Sequence, residues 1–254
     1  MPTAASPLAG QAAIVTCGAS GIGRAIVAAL ADAGAAVVVA DLDADGAAAV
    51  AAELPAGEAF ALDVRDAGRI DALVARALER FGRVDVAINC AGHCTLRPVL
   101  EVTAQDAEDM WRVHALATLL VCQAAARPMC AAGYGRIGNV VSGPGGYGAS
   151  TTTAHYQAAK SAQTSFTRSL SLALGPHGVT VNAVSPGTVA TPLWEGLDGA
   201  LRDQGRSAAE VLAERAADPG SPLGRLPTTA EVADLVRFLV LPSSGAITGE
   251  VVSV

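Results

Sequence analysis

No uninterrupted apolar run in this chain approaches the ~18 residues that a membrane-spanning helix requires, even though 51% of its residues are hydrophobic, because alanine supplies much of that share. Lysine and arginine form no cluster, and the formal net charge is -7. Nucleic acid and anionic membrane surfaces are therefore not expected partners. The first ten residues, Met1 to Gly10, hold no basic side chain and no long apolar core. That argues against a secretory signal or a transit peptide, and the cytoplasm is the expected location. Disulfides are equally unsupported: five cysteines, an odd number in a chain of 254 residues, read as free thiols. There is no internal repeat, linker or low-complexity segment. What the chain does have is an alternation of short apolar runs and amphipathic stretches from end to end. Its length suits one large core, so a single α/β domain over residues 1–254 is expected.

The alternation opens with the apolar run Ala12-Ala13-Ile14-Val15-Thr16, followed at once by Cys17-Gly18-Ala19-Ser20-Gly21-Ile22-Gly23 and a helical pattern from Arg24 to Ala33. Strand, glycine-rich turn and helix in that order make a phosphate cradle, in which backbone N–H groups and the positive helix end face a pyrophosphate. A glycine cluster alone is weak evidence. Here a second apolar run, Ala36-Val37-Val38-Val39-Ala40, strengthens it by ending in Asp41, eighteen residues after Gly23, with Leu42 next. A carboxylate at that place can accept hydrogen bonds from the adenosine ribose hydroxyls and would repel a 2′-phosphate, so NAD rather than NADP is the expected cofactor. The plain alternative for Asp41 is a helix cap or a solvated loop end.

The rhythm continues through Ala59 to Leu62, which runs into Asp63-Val64, then a helix from about Ala67 to Phe81, then Val84 to Ile88 ending at Asn89-Cys90-Ala91-Gly92. Strands with small or polar residues at their C-terminal ends line the ligand crevice of a doubly wound sheet. A long helix from about Gln105 to Ala131 turns Met110, Val113, Ala117, Leu120 and Val121 inwards, with His114 beside that stripe. Arg136 to Val141 leads to Ser142, and the Gly/Pro stretch from Gly143 to Gly148 precedes a helix from Thr153 to Leu174. A further strand, Val179 to Ser185, meets Pro186-Gly187; from Thr188 to Gly224 strand pattern is lost and the span reads as a lid. A helix from Ala230 to Leu241 and a short strand from Glu250 to Val254 close the chain.

Within the Thr153–Leu174 helix, Tyr156 and Lys160 stand four residues apart and share a face, fourteen positions or more downstream of Ser142. A tyrosine with its reference pKa near ~10 is a poor base at neutral pH, but a cation ~4 Å away at an effective dielectric of ~20 favours the phenolate by ~4 kcal/mol, about three pK units. Such a residue could trade protons with an alcohol or a carbonyl. Alone, the pair is what any solvated helix face carries. Ser142 at the end of an apolar run and the nucleotide-binding pattern upstream give it meaning.

Taken together, these residues resemble the short-chain dehydrogenase/reductase family over essentially the whole chain. The family's T-G-x-x-x-G-x-G motif matches Thr16, Gly21 and Gly23, with Cys17 where the family has its first glycine. N-N-A-G matches Asn89, Ala91 and Gly92, with Cys90 replacing the second asparagine. The serine and Y-x-x-x-K fall on Ser142, Tyr156 and Lys160, P-G-x-V-x-T on Pro186, Gly187, Val189 and Thr191, and the helix asparagine of V-N-L-x-G on His114. The resemblance implies a Rossmann fold with a doubly wound seven-stranded parallel sheet in the order 3-2-1-4-5-6-7, helices on both faces, a cofactor half over about residues 10–140 and a catalytic and substrate half over about 141–254. It implies that Tyr156 takes the hydroxyl proton as hydride passes to the nicotinamide, that Ser142 hydrogen-bonds the substrate oxygen, and that Lys160 binds the nicotinamide ribose and lowers the Tyr156 pKa. Adenine would be read by Asp63 and Val64, and the phosphates by the turn that includes Ser20 and Ile22. Cys17 adds a side chain where glycine lets the backbone approach, which predicts weaker cofactor binding or a shifted turn. His114 would hold the proton relay that the family's asparagine serves, and an imidazole with a reference pKa near ~6.5 would add a titration in the working range. The plain alternative is a helix histidine packed near Val113 and Ala117.

Other readings carry less. Cys90, His93 and Cys94 fit no common zinc spacing, and pocket lining explains them better, so no metal is expected. A non-catalytic dinucleotide-binding or redox-sensing protein of the same fold would not need Ser142, Tyr156 and Lys160 together. An NADP-dependent 3-oxoacyl ketoreductase would carry a basic residue where this chain has Ser20, and no acid at Asp41. The pocket should be lined by His93, Cys94, Gly143 to Tyr147, Gly187, Leu193, Trp194 and Leu197, a mix suited to a small or medium secondary alcohol or ketone. Small and apolar residues on both long helices predict a homodimer or homotetramer.

Overall fold

The computed structural model describes residues 6–142, 150–203, 205–218, 221 and 223–254. Seven parallel strands form one sheet in the order β3-β2-β1-β4-β5-β6-β7. They are β1 Ala12–Thr16, β2 Ala36–Asp41, β3 Gly57–Ala61, β4 Val86–Asn89, β5 Gly135–Val140, β6 Val179–Ser185 and β7 Val251–Ser253. The chain reaches β3 in one direction and then returns past β1, so the order reverses between β1 and β4, and a crevice opens outside the strand ends there.

Side chains alternate across the sheet, and two cores result. Ala13, Val15, Val37, Val39, Val86 and Ile88 face one side, while Ile14, Val38, Ala40 and Ala87 face the other. The first side is covered by α1 Gly21–Asp32, α2 Ala44–Ala52 and α9 Thr229–Val240, the second by α3 Ala67–Phe81, α5 Ala117–Ala132 and α6 Ala154–Leu174. In α3 the buried residues are Ile70, Leu73, Val74 and Ala77, the spacing of one helical face. Asp66 caps its start by accepting the amides of Gly68 and Arg69, and Gly82 at φ 75° ends it.

Three elements differ from the expectation. The long helix is a composite of α4 Ala104–Met110, a π-helical turn over Trp111–Leu116, and α5. That wider turn carries His114 into the interior, 1% exposed, while Val113 stays half-buried. By length and composition the composite could cross a membrane, but half of its most apolar 18-residue stretch is buried in the fold. Between Thr188 and Gly224, a span read as a lid without strand pattern, the chain forms two helices that the sequence did not mark, α7 Leu193–Arg202 and α8 Ala208–Ala217. α2, two-thirds alanine, was not expected at all.

Candidate active site

Thr16, the last residue of β1, ties the crevice together: its hydroxyl oxygen accepts the amides of Cys90 at 3.0 Å and Ala91 at 3.1 Å from the end of β4. The turn beyond it holds Cys17 at φ 57°, the one described non-glycine residue in the left-handed region. Gly23 must be glycine, because an added Cβ would stand 1.9 Å from the Cys17 carbonyl oxygen. Ser20, the N-cap of α1, makes no side-chain capping bond, whereas α2, α3, α4, α8 and α9 are each capped by an Asp, Thr or Ser side chain. The first-turn amides of α1, which include Ile22 and Gly23, are thus free of a side-chain acceptor, as a pyrophosphate site requires. Thr191 closes over this turn, 3.5 Å from where a Cβ on Gly21 would be, so the loop after β6 reaches the same spot. Pro186 and Val189 are buried beneath that loop, and Gly187 donates its amide to the Val254 carbonyl at 2.9 Å.

Asp41 ends β2 with both carboxylate oxygens engaged, Oδ2 by the Ala19 amide and Oδ1 by the Asp43 amide, each at 3.0 Å. Leu42 beside it is 72% exposed. Among the described residues no basic side chain pairs with this carboxylate: Arg24, on the first turn of α1, pairs with Glu53 at 3.1 Å. The residues fit the adenosine end of a dinucleotide. Asp63 is less available than its place suggests. Arg65 grips it through Nε and Nη2, the latter at 2.6 Å, and holds its carboxyl below the usual range, while Val64 packs against the α3 core. Asn89 turns inward, donating to Asn139 at 2.9 Å, so only its backbone is left for the crevice. Ala91 and Gly92 continue the strand end, and Gly92 presses on His114: an added Cβ would lie 2.4 Å from the imidazole Cε1.

At the other end of the crevice four side chains meet. Ser142 lies beside the Tyr156 side chain, near enough to favour its phenolate. Lys160, 5% exposed, donates to the Val140 carbonyl at 2.9 Å and stands 5.8 Å from the centre of the Tyr156 ring. The His114 ring meets Tyr156 edge-on at 5.1 Å, and His93 stacks on His114 at 6.0 Å. The charge states differ from those expected. Burial pushes Tyr156 up to about 12, against the lowering effect of Ser142 beside it, and burial drives Lys160 down to about 8. Each group is held towards its neutral form by desolvation. Nor does His114 titrate in the working range: burial, with Lys160 nearby, lowers it well below 6.5. Its Nε2 lies 2.7 Å from the His93 carbonyl oxygen, so Nε2 carries the proton of the neutral ring. Nδ1 is left as a bare acceptor, buried and without a protein partner.

Lid and pocket meet through apolar contacts. Cys94, Leu96 and Trp194 pack against Leu197, Leu201 and Val211 of α7 and α8, and Trp194 also donates Nε1–H to the Val189 carbonyl at 3.0 Å. Burial keeps the Cys94 thiol protonated, pushed up to about 11, and lowers His93. Tyr147 and the rest of Gly143 to Gly148 lie outside the described residues. The sequence reading passed over the Thr95–His155 hydrogen bond at 2.8 Å, which fixes the pocket loop beside Tyr156, and nothing in the local pattern marks it. It also passed over a signal in plain view: Lys160 is the single lysine of the chain, every other cation being arginine. Arginine cannot lose its proton in a protein, whereas a buried lysine can.

Residues 18–254 match the family described as enoyl-(acyl carrier protein) reductase. The short-chain reductase protein NovJ of Streptomyces niveus is 41% identical over 192 residues, 76% of this chain and 71% of that protein. Sorbitol dehydrogenase of Cereibacter sphaeroides is 35% identical over 249 residues, 97% and 96% of the two chains. The crystal structure of gox2181 matches with a TM-score of 0.86 at 30% sequence identity, covering 97% of this chain and 95% of that one. The chain belongs to the short-chain dehydrogenase/reductase family. It is therefore an oxidoreductase that works on alcohols and ketones with a nicotinamide dinucleotide.

Proposed function

We propose that this protein is an NAD(H)-dependent enzyme that interconverts a small or medium secondary alcohol and its ketone. The observation that carries the reading is the packing of Tyr156 against His114 and buried Lys160, with Ser142 beside the phenol, at one end of a crevice whose other end presents the Asp41 carboxylate. A 2′-phosphate would meet Asp41 as a like charge in a partly desolvated place, with Leu42 and Ser20 where a basic side chain would have to be.

A bound NAD would supply the hydride acceptor. The rest falls to the chain. Tyr156 Oη takes the substrate's hydroxyl proton in oxidation and returns it in reduction, and Ser142 hydrogen-bonds the same substrate oxygen. With its pKa near 12, Tyr156 holds its proton at neutral pH and is ready to give it to a ketone oxygen. Running the reaction towards the ketone needs the Lys160 ammonium, whose charge favours the phenolate. Cys94, Trp194 and the α7 face supply an apolar wall that excludes water around the reacting carbon.

Oligomerisation through the two long helices belongs to the same reading, supported by Trp111, Leu116 and Leu172, which are 45%, 37% and 81% exposed. Following reduced-nicotinamide fluorescence across a panel of alcohols, polyols and hydroxysteroids tests the function. Turnover of at least one secondary alcohol, faster with NAD than with NADP, is expected. No turnover of any member, or equal use of the two cofactors, sinks the reading. Light scattering at micromolar concentration should give a dimer or tetramer mass, and a monomer mass would remove the helix interface.

A further inference from the structure

Beyond β4 the chain runs from His93 to Arg97 without helix or strand, and burial alternates along it: His93, Thr95 and Arg97 are exposed, Cys94 and Leu96 half-buried. A period of two is that of an extended chain, whose successive side chains point to opposite sides. On one side Cys94 and Leu96 pack against Leu197, Leu201 and Val211 of α7 and α8, as a wall between the pocket and the lid. The rest of the segment is tied down at intervals. The His93 carbonyl accepts His114 Nε2–H at 2.7 Å, and the amides of Arg97 and Val99 donate to the Thr152 and Thr151 carbonyls, each at 2.8 Å. Arg97 also pairs with Asp106 of α4 at 3.4 Å. Midway between these ties, Thr95 Oγ1 stands 2.8 Å from Nε2 of His155, the residue before Tyr156. We infer that Thr95 and His155 form a specificity-determining latch, which holds the wall of Cys94 and Leu96 at a set distance from the Tyr156 phenol and so limits the size of the group that a reacting alcohol can carry on its carbinol carbon.

α6 carries His155 and Tyr156 in consecutive positions, so a wall hung on His155 keeps its place relative to the phenol. His155 is itself held, 7% exposed, and its Nδ1 has no partner among the described residues. The Thr95 hydroxyl is therefore the ring's one hydrogen-bond partner there, and its loss would leave a buried imidazole with none, a costly state. Seen from the wall, the tie is just as singular. Among the described residues Cys94, Thr95 and Leu96 make no main-chain hydrogen bond, so only the latch and apolar packing place them. Apolar packing is non-directional, and with the latch open Cys94 and Leu96 would follow α7 and α8 away from α6. The pocket then widens, which favours alcohols with larger groups over those with smaller ones. Thr95 and His155 act through the wall and are positioning residues.

The latch rests on the secondary-alcohol reading above, and one experiment separates the two. With NAD as acceptor, kcat/KM is measured for secondary alcohols graded by chain length, alongside the dissociation constant of NADH, for wild type, Thr95→Ser, Thr95→Val, His155→Leu and the Thr95→Val, His155→Leu double variant. Valine keeps the shape of threonine without the hydroxyl, and serine keeps the hydroxyl. The ratio of kcat/KM for the longest alcohol turned over to that for the shortest should rise about three- to tenfold in Thr95→Val, the worth of one modest hydrogen bond, and hold its wild-type value in Thr95→Ser. His155→Leu should raise the same ratio, and the double variant should go no further than the larger single change, because each substitution removes the same bond. A ratio unmoved in Thr95→Val, moved as far by serine as by valine, or raised additively in the double variant overturns the latch. So does NADH affinity that falls in step with the ratio, as general loosening of the fold would give. A wild type that turns over no secondary alcohol overturns the function reading instead, and the latch with it. Should His155→Leu fail to fold, the serine and valine variants of Thr95 decide.

Discussion

The two ends of the crevice are built from different materials. At the ends of β1 and β2 the lining is mostly backbone: amides of the turn, the uncapped start of α1, and one carboxylate held by main-chain N–H groups. At the end of β5, along α6 and on the π-helical turn it is side chains, Ser142, Tyr156, Lys160 and His114, packed against each other and largely out of water. The first arrangement tolerates a change of residue. Cys17 replaces a glycine and Cys90 an asparagine of the family's motifs, yet Thr16 still clamps β4 and Asp41 still meets Ala19. The second arrangement draws its properties from which side chains are buried together, so identity there decides protonation.

The largest effect that would break this contrast is loss of the phenol. Tyr156→Phe should lower kcat by about 10²- to 10⁴-fold, the usual worth of a placed acid or base, with NADH affinity within about twofold of wild type. Comparable loss of cofactor binding would mean that the two ends are not separate.

Lys160→Met comes next and combines two opposite signs. Activity should fall by about 10²-fold or more, because the charge that favours the phenolate is gone. Stability should rise. A lysine moved from 10.5 to about 8 bears an unfavourable charged form in the fold, on the order of 3 kcal/mol near neutral pH, partly offset by its bond to the Val140 carbonyl. The sign follows from proton counts. Between pH 8 and 10.5 the unfolded chain binds more protons at this residue than the folded one, so wild-type stability gains with pH across that window. Thermal unfolding should show a Tm a few degrees higher for the methionine variant at pH 7, a gap that closes towards pH 10. A lower Tm at pH 7 would mean that the ammonium is better solvated than its burial implies.

Smaller again is the response at the backbone-built end. Asp41→Ala together with Leu42→Arg should move the NADP to NAD ratio of kcat/KM by about ten- to a hundredfold, since a repelling charge is exchanged for an attracting one. Cofactor titrations of the double variant check it, and an unmoved ratio would show that Asp41 acts only as a turn cap for Ala19 and Asp43.

How much of this was legible in the sequence follows the same division. The sheet was readable because its strands are short apolar runs with glycine or polar residues at the ends, and Tyr156 and Lys160 because spacing of four puts them on one helical face. α2 was hidden by its own composition, since Ala47, Val50 and Ala51 are buried among other alanines and give no periodic contrast. At α7, Pro192 at the N-cap and Gly196 and Gly199 within the helix obscured the signal of Leu197 and Leu201, four apart and both buried. The π turn at Trp111–Leu116 leaves no local mark, because its widening serves tertiary packing of His114 against Gly92 and His93. Charge states were the least readable. Proximity of Lys160 to Tyr156 is a matter of spacing, but desolvation of both depends on everything packed around them.

His114 gives the smallest expected effect and the sharpest test of that last point. If exposed, its imidazole would titrate near ~6.5 and its loss would move the acid limb of the pH–rate profile. Burial and Lys160 hold it neutral well below that value, so the folded protein gains nothing from its charge anywhere in the working range. A group with a lowered pKa of this kind weakens the fold only as pH drops through the window below 6.5, where the unfolded chain takes up the proton first. In the neutral ring Nε2–H donates to the His93 carbonyl, which has no proton to pass on, so the ring cannot conduct protons end to end. It can only accept at Nδ1. His114→Asn retains an amide donor for His93 and an acceptor besides, and should keep kcat within about threefold with a superimposable profile from pH 6 to 9. His114→Ala removes both and should lose about tenfold. A wild-type limb near pH 6.5 that disappears in the asparagine variant would show that the ring takes up a proton during turnover and that water reaches it, contrary to its 1% exposure.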